Sequence, residues 1–499
     1  MKKVLHAMAT AGLCALLALT GCSQAGQSTG DQSQTNQASV QLDPNNPVTL
    51  TVWHYYNGAQ QAAFDSLISE FNAGEGKEKG IYVEGYTQGS VSDLEQAVTD
   101  SAAGVVGSKA MPDIFSSYAD TAYELEKDGK LADLTNYFTQ DELDEYVAGY
   151  INEGYFEQDG KLYLFPVAKS TEITMVNATD WQAFADATGA SLDQFSTFEG
   201  ITALAKRYYE WIDAQTPDVA NDGRALYGRD SLSNYFVIGC KQLGVDLFDV
   251  SGGSVTINAN KTAIRRLWDN YYVPYINGWF DSFGKFRSDD VKTGDILAYT
   301  GSSSSAAYFP DQVVADDGSY DINYAVLMPP VFEGASNVAA QQGAGMSVTK
   351  SDELHEYASC EFLKWFTEKD NSLTFACSSS YLPVRTDANS VDALDAAIAN
   401  KGLSVSGKNY DCLKVVMENY GSTEFYSTPC FDNGYQTRSC LNTVLSEKAQ
   451  ADRDAVDAAV ATGANRAEAA AAYDTDENFE TWYAQLVSTL ESKAHPAAE

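Results

Sequence analysis

The strongest constraint on this chain is an alternation of strand-like and helix-like segments that starts at Val48. The stretch "VTLTVWHYY" is β-branched and aromatic with strand-like alternation. "GAQQAAFDSLISEFNAGEG" behind it places Phe64, Leu67, Ile68 and Phe71 at helical spacing. The unit then repeats: "GIYVEGYTQ" reads as a strand, "SVSDLEQAVTDSAAG" as a helix capped at Ser90 or Ser92, "MPDIFSSYA" as a strand and "DTAYELEKDGKLADL" as a helix. Such alternation predicts an α/β fold with a mainly parallel sheet covered on both faces.

In sheets of this kind ligands bind beyond the carboxyl ends of the strands, so the residues there are the first candidates for a site. The first strand ends in Trp53, His54, Tyr55 and Tyr56, the second in Tyr86, Thr87 and Gln88, and the third in Ser116, Ser117 and Tyr118, with Asp120 at the helix start. Aromatic rings beside hydroxyls, an amide and a carboxylate suit carbohydrate: ring faces cover the C–H side of a sugar while planar polar groups satisfy its hydroxyls. Trp53, Tyr55, Gln88, Ser117 and Asp120 are the candidates from this wall. His54 and Tyr56 read equally well as core.

Composition narrows the function. With 32 basic and 69 acidic residues the net charge is −37, the opposite of what nucleic acid requires. At 499 residues and 44% hydrophobic content, the chain can build more than one domain. The cysteines Cys240, Cys360, Cys377, Cys412, Cys430 and Cys440 are scattered, and Cys240 and Cys360 sit at helical apolar positions where free buried thiols are common. His54, His355 and His495 lie far apart, so no metal site is expected, and no P-loop, dinucleotide fingerprint or G-x-S-x-G elbow points to a cofactor or a nucleophile.

The first residues pair Lys2 and Lys3 with a short, small-residue-rich apolar run, which reads as an export signal over residues 1–21 rather than a membrane span. Leu19-Thr20-Gly21-Cys22 resembles the bacterial lipobox, which implies diacylation of Cys22 and attachment to the outer face of the cell membrane. Each buried methylene contributes about 0.8 kcal/mol, so more than one acyl chain gives a lasting anchor. Residues 22–47, rich in Ser, Gln, Gly, Thr and Asn, are expected to act as a flexible tether.

The segment "DGKLYLFPVAKSTEITMVNATDW" is similar to the first interlobe crossover of the extracellular solute-binding proteins that serve ABC importers, a family that includes maltodextrin- and glycerol-3-phosphate-binding proteins. Gly160-Lys161-Leu162-Tyr163, Pro166, Lys169-Ser170-Thr171-Glu172 and Met175-Val176-Asn177 fall at the family's positions; Met175-Val176 departs from the tyrosine pair often found there. "LYGRDSLSNYFVIGCKQLGVDLFD", "GDILAYTGSSSSAAYF", "YAVLMPPV", "QQGAGMSVTKSDELHEYASCEFLKWFT" and "SSYLPVRTDA" follow in the family's order. The resemblance implies a two-lobed, venus-flytrap (type II periplasmic-binding-protein-like) fold with discontinuous lobes and a hinge. Residues 48–167 and 330–382 are expected in the first lobe, 168–329 and 383–499 in the second. The alanine-rich end, with Trp482, Leu486 and Leu490 at helical spacing, is expected to form terminal helices on the second lobe.

In such a fold the ligand lies between the lobes. From the second wall the resemblance points to Ser170 and Glu172 at the crossover, Asp230 and Ser231, Trp279, Ser302, Ser303 and Ser304 in the serine turn, and Gln341, Gln342 and Gly343. Trp279 could equally be core, and "GSSSSA" could be a plain capping loop. The expected function is a monomeric, lipid-anchored binding protein that delivers a sugar or oligosaccharide to the transmembrane subunits of an ABC permease and is not an enzyme. Glycerol-3-phosphate or another polar solute is the alternative within the class. A secreted glycoside hydrolase, with an acid and base pair hidden among the carboxylates, and an adhesion or scaffold lipoprotein are the alternatives outside it.

Overall fold

The computed structural model describes residues 40–156, 159–315 and 318–496; the export signal, the Leu19–Cys22 box and most of the tether lie outside these residues. Packing onto the body begins earlier than Val48. Leu42 joins the core of the first lobe, and the Asp43 side chain accepts from the Asn45 backbone N–H at 2.9 Å to form a turn. The last residues assigned to the tether are therefore part of the folded body.

Two sheets form the centres of two lobes. The first has the order Ile81–Thr87, Val48–His54, Ile114–Ser117, Gly345–Val348, Phe165–Pro166; the first three strands run parallel, and Gly345–Val348 runs antiparallel to both its neighbours. The second has the order Tyr324–Leu327, Glu172–Asn177, Ile296–Ser302, Ala225–Arg229. In it Glu172–Asn177 is antiparallel to both neighbours, and Ala225–Arg229 is parallel to Ile296–Ser302.

The inner strands are buried on both faces, Ile114–Ser117, Gly345–Val348 and Glu172–Asn177 at every position, while the edge strand Ile81–Thr87 exposes Tyr82 and Tyr86. Leu50 and Val52 point into one core of the first lobe while Trp53 points into the other. The helix Gly58–Ala73 buries Phe64, Leu67, Ile68 and Phe71, the four residues its spacing selects. Ser90 caps Val91–Ala102 through a capping box with Asp93. The helix Ala119–Lys127 is shorter than the segment "DTAYELEKDGKLADL" suggests, because Gly129 takes φ +65° and the Lys130 N–H turns back to the Leu125 carbonyl, closing the helix end. At the other end of the chain, Asp476–Ala494 buries Phe479, Trp482, Leu486 and Leu490 in the core that also holds Leu226 and Ala298 of the second sheet. All six cysteines among the described residues are free thiols, five of them buried.

The chain crosses between the lobes at several points that are stitched together. Lys169 and Leu382 exchange backbone hydrogen bonds, as do Ser170 and Gln342, and Val338–Ala340 pairs in parallel with Glu424–Tyr426. No helix of the described residues is long and apolar enough to cross a membrane.

Candidate ligand-binding cleft

Between the lobes lies a cavity of about 700 Å³. The end of the first strand supplies Tyr55 and the helix behind it Gln60, while Glu95, Tyr118 and Asp120 come from the next two strand-to-helix units. The floor is made by the crossing segments through Glu153, Ser170, Gln342 and Tyr381. Ser231 and Asn234 enter from the helix after Ala225–Arg229, and Ser302, Ser304 and Tyr308 from the serine turn.

A third group comes from a region that carries none of the strand-end logic. Tyr426, Tyr435, Arg438 and Asn442 line the cavity from the segment leading into the short helix Gly434–Ser439 and just beyond it. This segment spans the lobes: Phe431 and Leu441 sit in the second-lobe core and Cys430 in a first-lobe core. It also holds the lobes together, because Arg438 forms an ion pair with Asp120, and Asp432 accepts from Lys127 Nζ at 2.6 Å and from the Tyr123 hydroxyl at 3.2 Å. Elsewhere on the rim, Gln60 Nε2 donates to the Ser304 carbonyl at 3.3 Å and the Tyr308 hydroxyl to Asn57 at 3.1 Å.

The lining is rich in groups that exchange hydrogen bonds with hydroxyls. The Tyr55 and Tyr381 hydroxyls lie 3.3 Å apart, with Tyr118 beside them. Burial, followed by the neighbouring phenols, pushes the pKa values of Tyr55 and Tyr118 well up, and burial also raises Tyr381, so all three keep their protons. Three polar atoms at the cavity residues lack any protein partner: Asp120 Oδ1, Arg438 Nη1 and Gln342 Oε1. Buried polar atoms are rarely left unpaired, so these three mark polar side chains of the wall whose bonding is incomplete without a further partner.

The serine turn does both things its sequence allows. Ser302 caps the short 3-10 turn by accepting from the Ser304 N–H, and its hydroxyl also faces Ser170 at 3.4 Å within the lining. Of the residues proposed from sequence, Tyr55, Asp120, Ser170, Ser231, Ser302, Ser304, Gln341 and Gln342 come together in the cavity wall.

The others lie elsewhere, each for a stated reason. Trp53, 5% exposed, packs with Leu94, Val98 and Phe115 in a first-lobe core. His54 and Tyr56 are also core, stacked on each other, with Phe64 edge-on to His54 and tilted against Tyr56. Gln88 turns its amide to the Tyr86 carbonyl, and Ser117 is buried with its hydroxyl on the Tyr118 carbonyl. Glu172 is buried in an ion pair with Arg229 at 2.8 Å and accepts from Asn234 at 3.2 Å, so it positions a lining residue instead of lining the cavity itself. Asp230 accepts the Arg287 backbone N–H at 2.9 Å, and burial pushes its carboxyl up to about 6. Trp279 packs at the edge of the second-lobe core, with its carbonyl bonded to the Leu226 N–H. Ser303 is buried and bonded to the Thr171 backbone. Gly343, at φ +95°, brings its carbonyl to Lys169 Nζ at 2.8 Å; a side chain here would collide with the Ala168 carbonyl.

Among the described residues no cluster of His, Cys, Asp and Glu could hold a metal ion. The sequence profile of the bacterial extracellular solute-binding proteins matches residues 66–402. Among solved structures, the cyclic α-maltosyl-1,6-maltose-binding protein of Arthrobacter globiformis is similar over 90% of this chain and 100% of its own, with TM-score 0.61 and 18% identity. UgpB of Mycobacterium tuberculosis, solved with glycerophosphocholine, has the same coverage, score and identity. The galacto-N-biose/lacto-N-biose I-binding protein of Bifidobacterium longum covers 90% of this chain and 98% of its own, at TM-score 0.58 and 15% identity. At these identities the likeness is one of fold. No curated protein sequence matches the chain. The ordered crossing segments, the two sheets and the profile agree: the chain belongs to the bacterial extracellular solute-binding protein family, whose members bind substrates and do not transform them.

Proposed function

We propose that this protein captures a neutral mono- or oligosaccharide in the interlobe cavity and delivers it to the transmembrane subunits of an ABC importer. The observation that carries the reading is the composition of the wall: tyrosine hydroxyls, serines and carboxamides line the cavity, and three buried polar atoms of its residues, Gln342 Oε1, Asp120 Oδ1 and Arg438 Nη1, have no protein partner. Such a wall matches a solute that carries many hydroxyls. A phosphorylated solute is disfavoured, because the one cationic side chain of the described lining, Arg438, already faces Asp120.

The site residues of this reading are Tyr55, Asp120, Ser170, Ser231, Ser302 and Gln342, joined by Tyr118, Asn234, Tyr381, Tyr435 and Arg438. The protein acts as a monomer, held at the outer face of the cell membrane by acyl chains on Cys22 after removal of the export signal. Residues 48–167 with 330–382, and 168–329 with 383–499, form the lobes that open and close.

A thermal-shift screen of residues 40–499 against neutral saccharides and phosphorylated polyols tests the binding claim, since a ligand selective for the folded state raises the melting temperature by mass action. A saccharide hit recovered chemically unchanged is the expected result. A hit among phosphorylated polyols alone would overturn the saccharide reading. Metabolic labelling with a fatty acid, lost in Cys22→Ala, tests the anchor.

A further inference from the structure

The charges in the cavity wall do not balance. Asp120 is paired with Arg438, and Glu153 with Lys169, which is buried behind the wall. Glu95 is the exception. It projects from the helix Val91–Ala102, accepts a hydrogen bond from Thr121 Oγ1 at 3.1 Å and lies beside the Tyr435 hydroxyl. Both neighbours are neutral. Among the described residues Glu95 is the one charged group of the lining with no opposite charge against it.

Resting on the saccharide reading above, we propose that Glu95 determines the charge selectivity of the cleft: it admits neutral and amine-bearing saccharides and excludes those that carry a carboxylate or phosphate. A sugar hydroxyl donates readily to a carboxylate, and an ammonium gains a charge-assisted bond. An anionic group entering the same space meets Glu95, while the charge of Arg438, the one cation of the described lining, is already balanced by Asp120. In a half-enclosed site this repulsion is stronger than in bulk solvent; burial, which raises the Glu95 carboxyl above its ordinary value, acts against it. The net charge of −37 acts in the same direction at longer range.

The test uses matched probes in the glucose, galactose and mannose series: each neutral sugar, its 2-amino derivative and its uronic acid, titrated to 50 mM by calorimetry and thermal shift at pH 7. In the unmodified protein the amino sugar of the series that binds should match or exceed the neutral sugar, and the uronic acid should bind at least tenfold more weakly. In Glu95→Gln, which keeps the shape and the Thr121 contact, the uronic acid should come within about threefold of the neutral sugar, and the amino sugar should lose at least fivefold. A uronic acid bound as tightly as its neutral parent in the unmodified protein, or an unchanged order in Glu95→Gln, would overturn the proposal while leaving the saccharide reading intact. Failure of all nine sugars, with a non-saccharide binding, would remove the saccharide reading and the charge rule with it.

Discussion

The Lys169 ammonium, 1% exposed, is held between the Glu153 carboxylate and the Gly343 carbonyl, which places a buried ion pair where the chain passes from one lobe to the other. Glu153 also receives Gln341 Nε2 at 3.0 Å and faces the cavity. The pair therefore joins two crossing segments to the floor of the ligand site. Removing one partner of a buried pair leaves an uncompensated charge, which typically costs about 3–5 kcal/mol, whereas replacing both can be close to neutral. Lys169→Met is expected to lower stability by about that amount, and Lys169→Met with Glu153→Gln to recover most of it. Urea denaturation of the two variants checks this; equal losses in both would show that the pair does not matter.

Arg438 and Asp120 form an ion pair in the cavity wall. Arg438→Ala leaves a buried carboxylate unpaired and takes away Nη1, so affinity for the saccharide found by screening should fall by about 2–5 kcal/mol, or roughly 30-fold or more. Arg438→Lys should not restore it, since an ammonium cannot reproduce the planar fork. Calorimetry of both variants checks the claim, and wild-type affinity in Arg438→Lys would contradict it.

Trp53 and Glu172 should separate stability from binding. Trp53 is a core side chain, so Trp53→Ala is expected to cost about 3–5 kcal/mol of folding free energy. Glu172→Ala strands the buried Arg229 guanidinium and should cost a similar amount. At temperatures where both remain folded, Trp53→Ala should bind within about threefold of the unmodified protein, while Glu172→Ala should bind more weakly because Asn234 loses its acceptor. Denaturation and binding curves on the same samples distinguish the two.

Two groups give opposed pH dependences. Burial pushes His54 from 6.5 down to about 4, and neither ring nitrogen has a partner. The folded state thus disfavours the imidazolium, so stability is fully present above pH 6.5 and is lost as pH falls toward 4. Burial lifts Asp230 from 3.8 to about 6, so its contribution is present below pH 3.8 and is lost as pH rises through 6. Each is worth roughly 3 kcal/mol at most, and they offset each other in the same window. Relative to the unmodified protein, His54→Leu should gain stability on acidification from pH 6.5 to 4, and Asp230→Asn should gain it on going from pH 4 to 6.5. Melting temperatures across that range check both signs; parallel profiles for all three proteins would refute the assignment.

Much of the scaffold was legible from local pattern. The spacing of Phe64, Leu67, Ile68 and Phe71 fixes a helix face, Ser90 and Asp93 mark a helix start, and Trp482, Leu486 and Leu490 mark a buried stripe, because each depends on residues within a turn or two of one another. The ordered motifs around Lys169, Gln342 and Leu382 likewise foretold crossing segments that prove to be bonded together. The cavity wall was legible only in part. Strand alternation tells which residues share a face, but where a strand is covered on both faces it does not tell whether a residue near its end turns to the core, as Trp53 does, or to the cleft, as Tyr55 just beyond it does.

The sequence by itself determined the alternating elements and their caps, since those follow from short-range periodicity and hydrogen bonding, whereas the two-lobed plan was legible only through the ordered family motifs. Only the tertiary structure decided the cleft. Glu95, Arg438 and Asn442 carry no shared local signal, and Asp120 and Arg438 meet across more than three hundred residues. Their pairing depends on how two separately packed lobes and a late segment anchored in both come together, and long-range packing of that kind leaves no periodic trace in the chain.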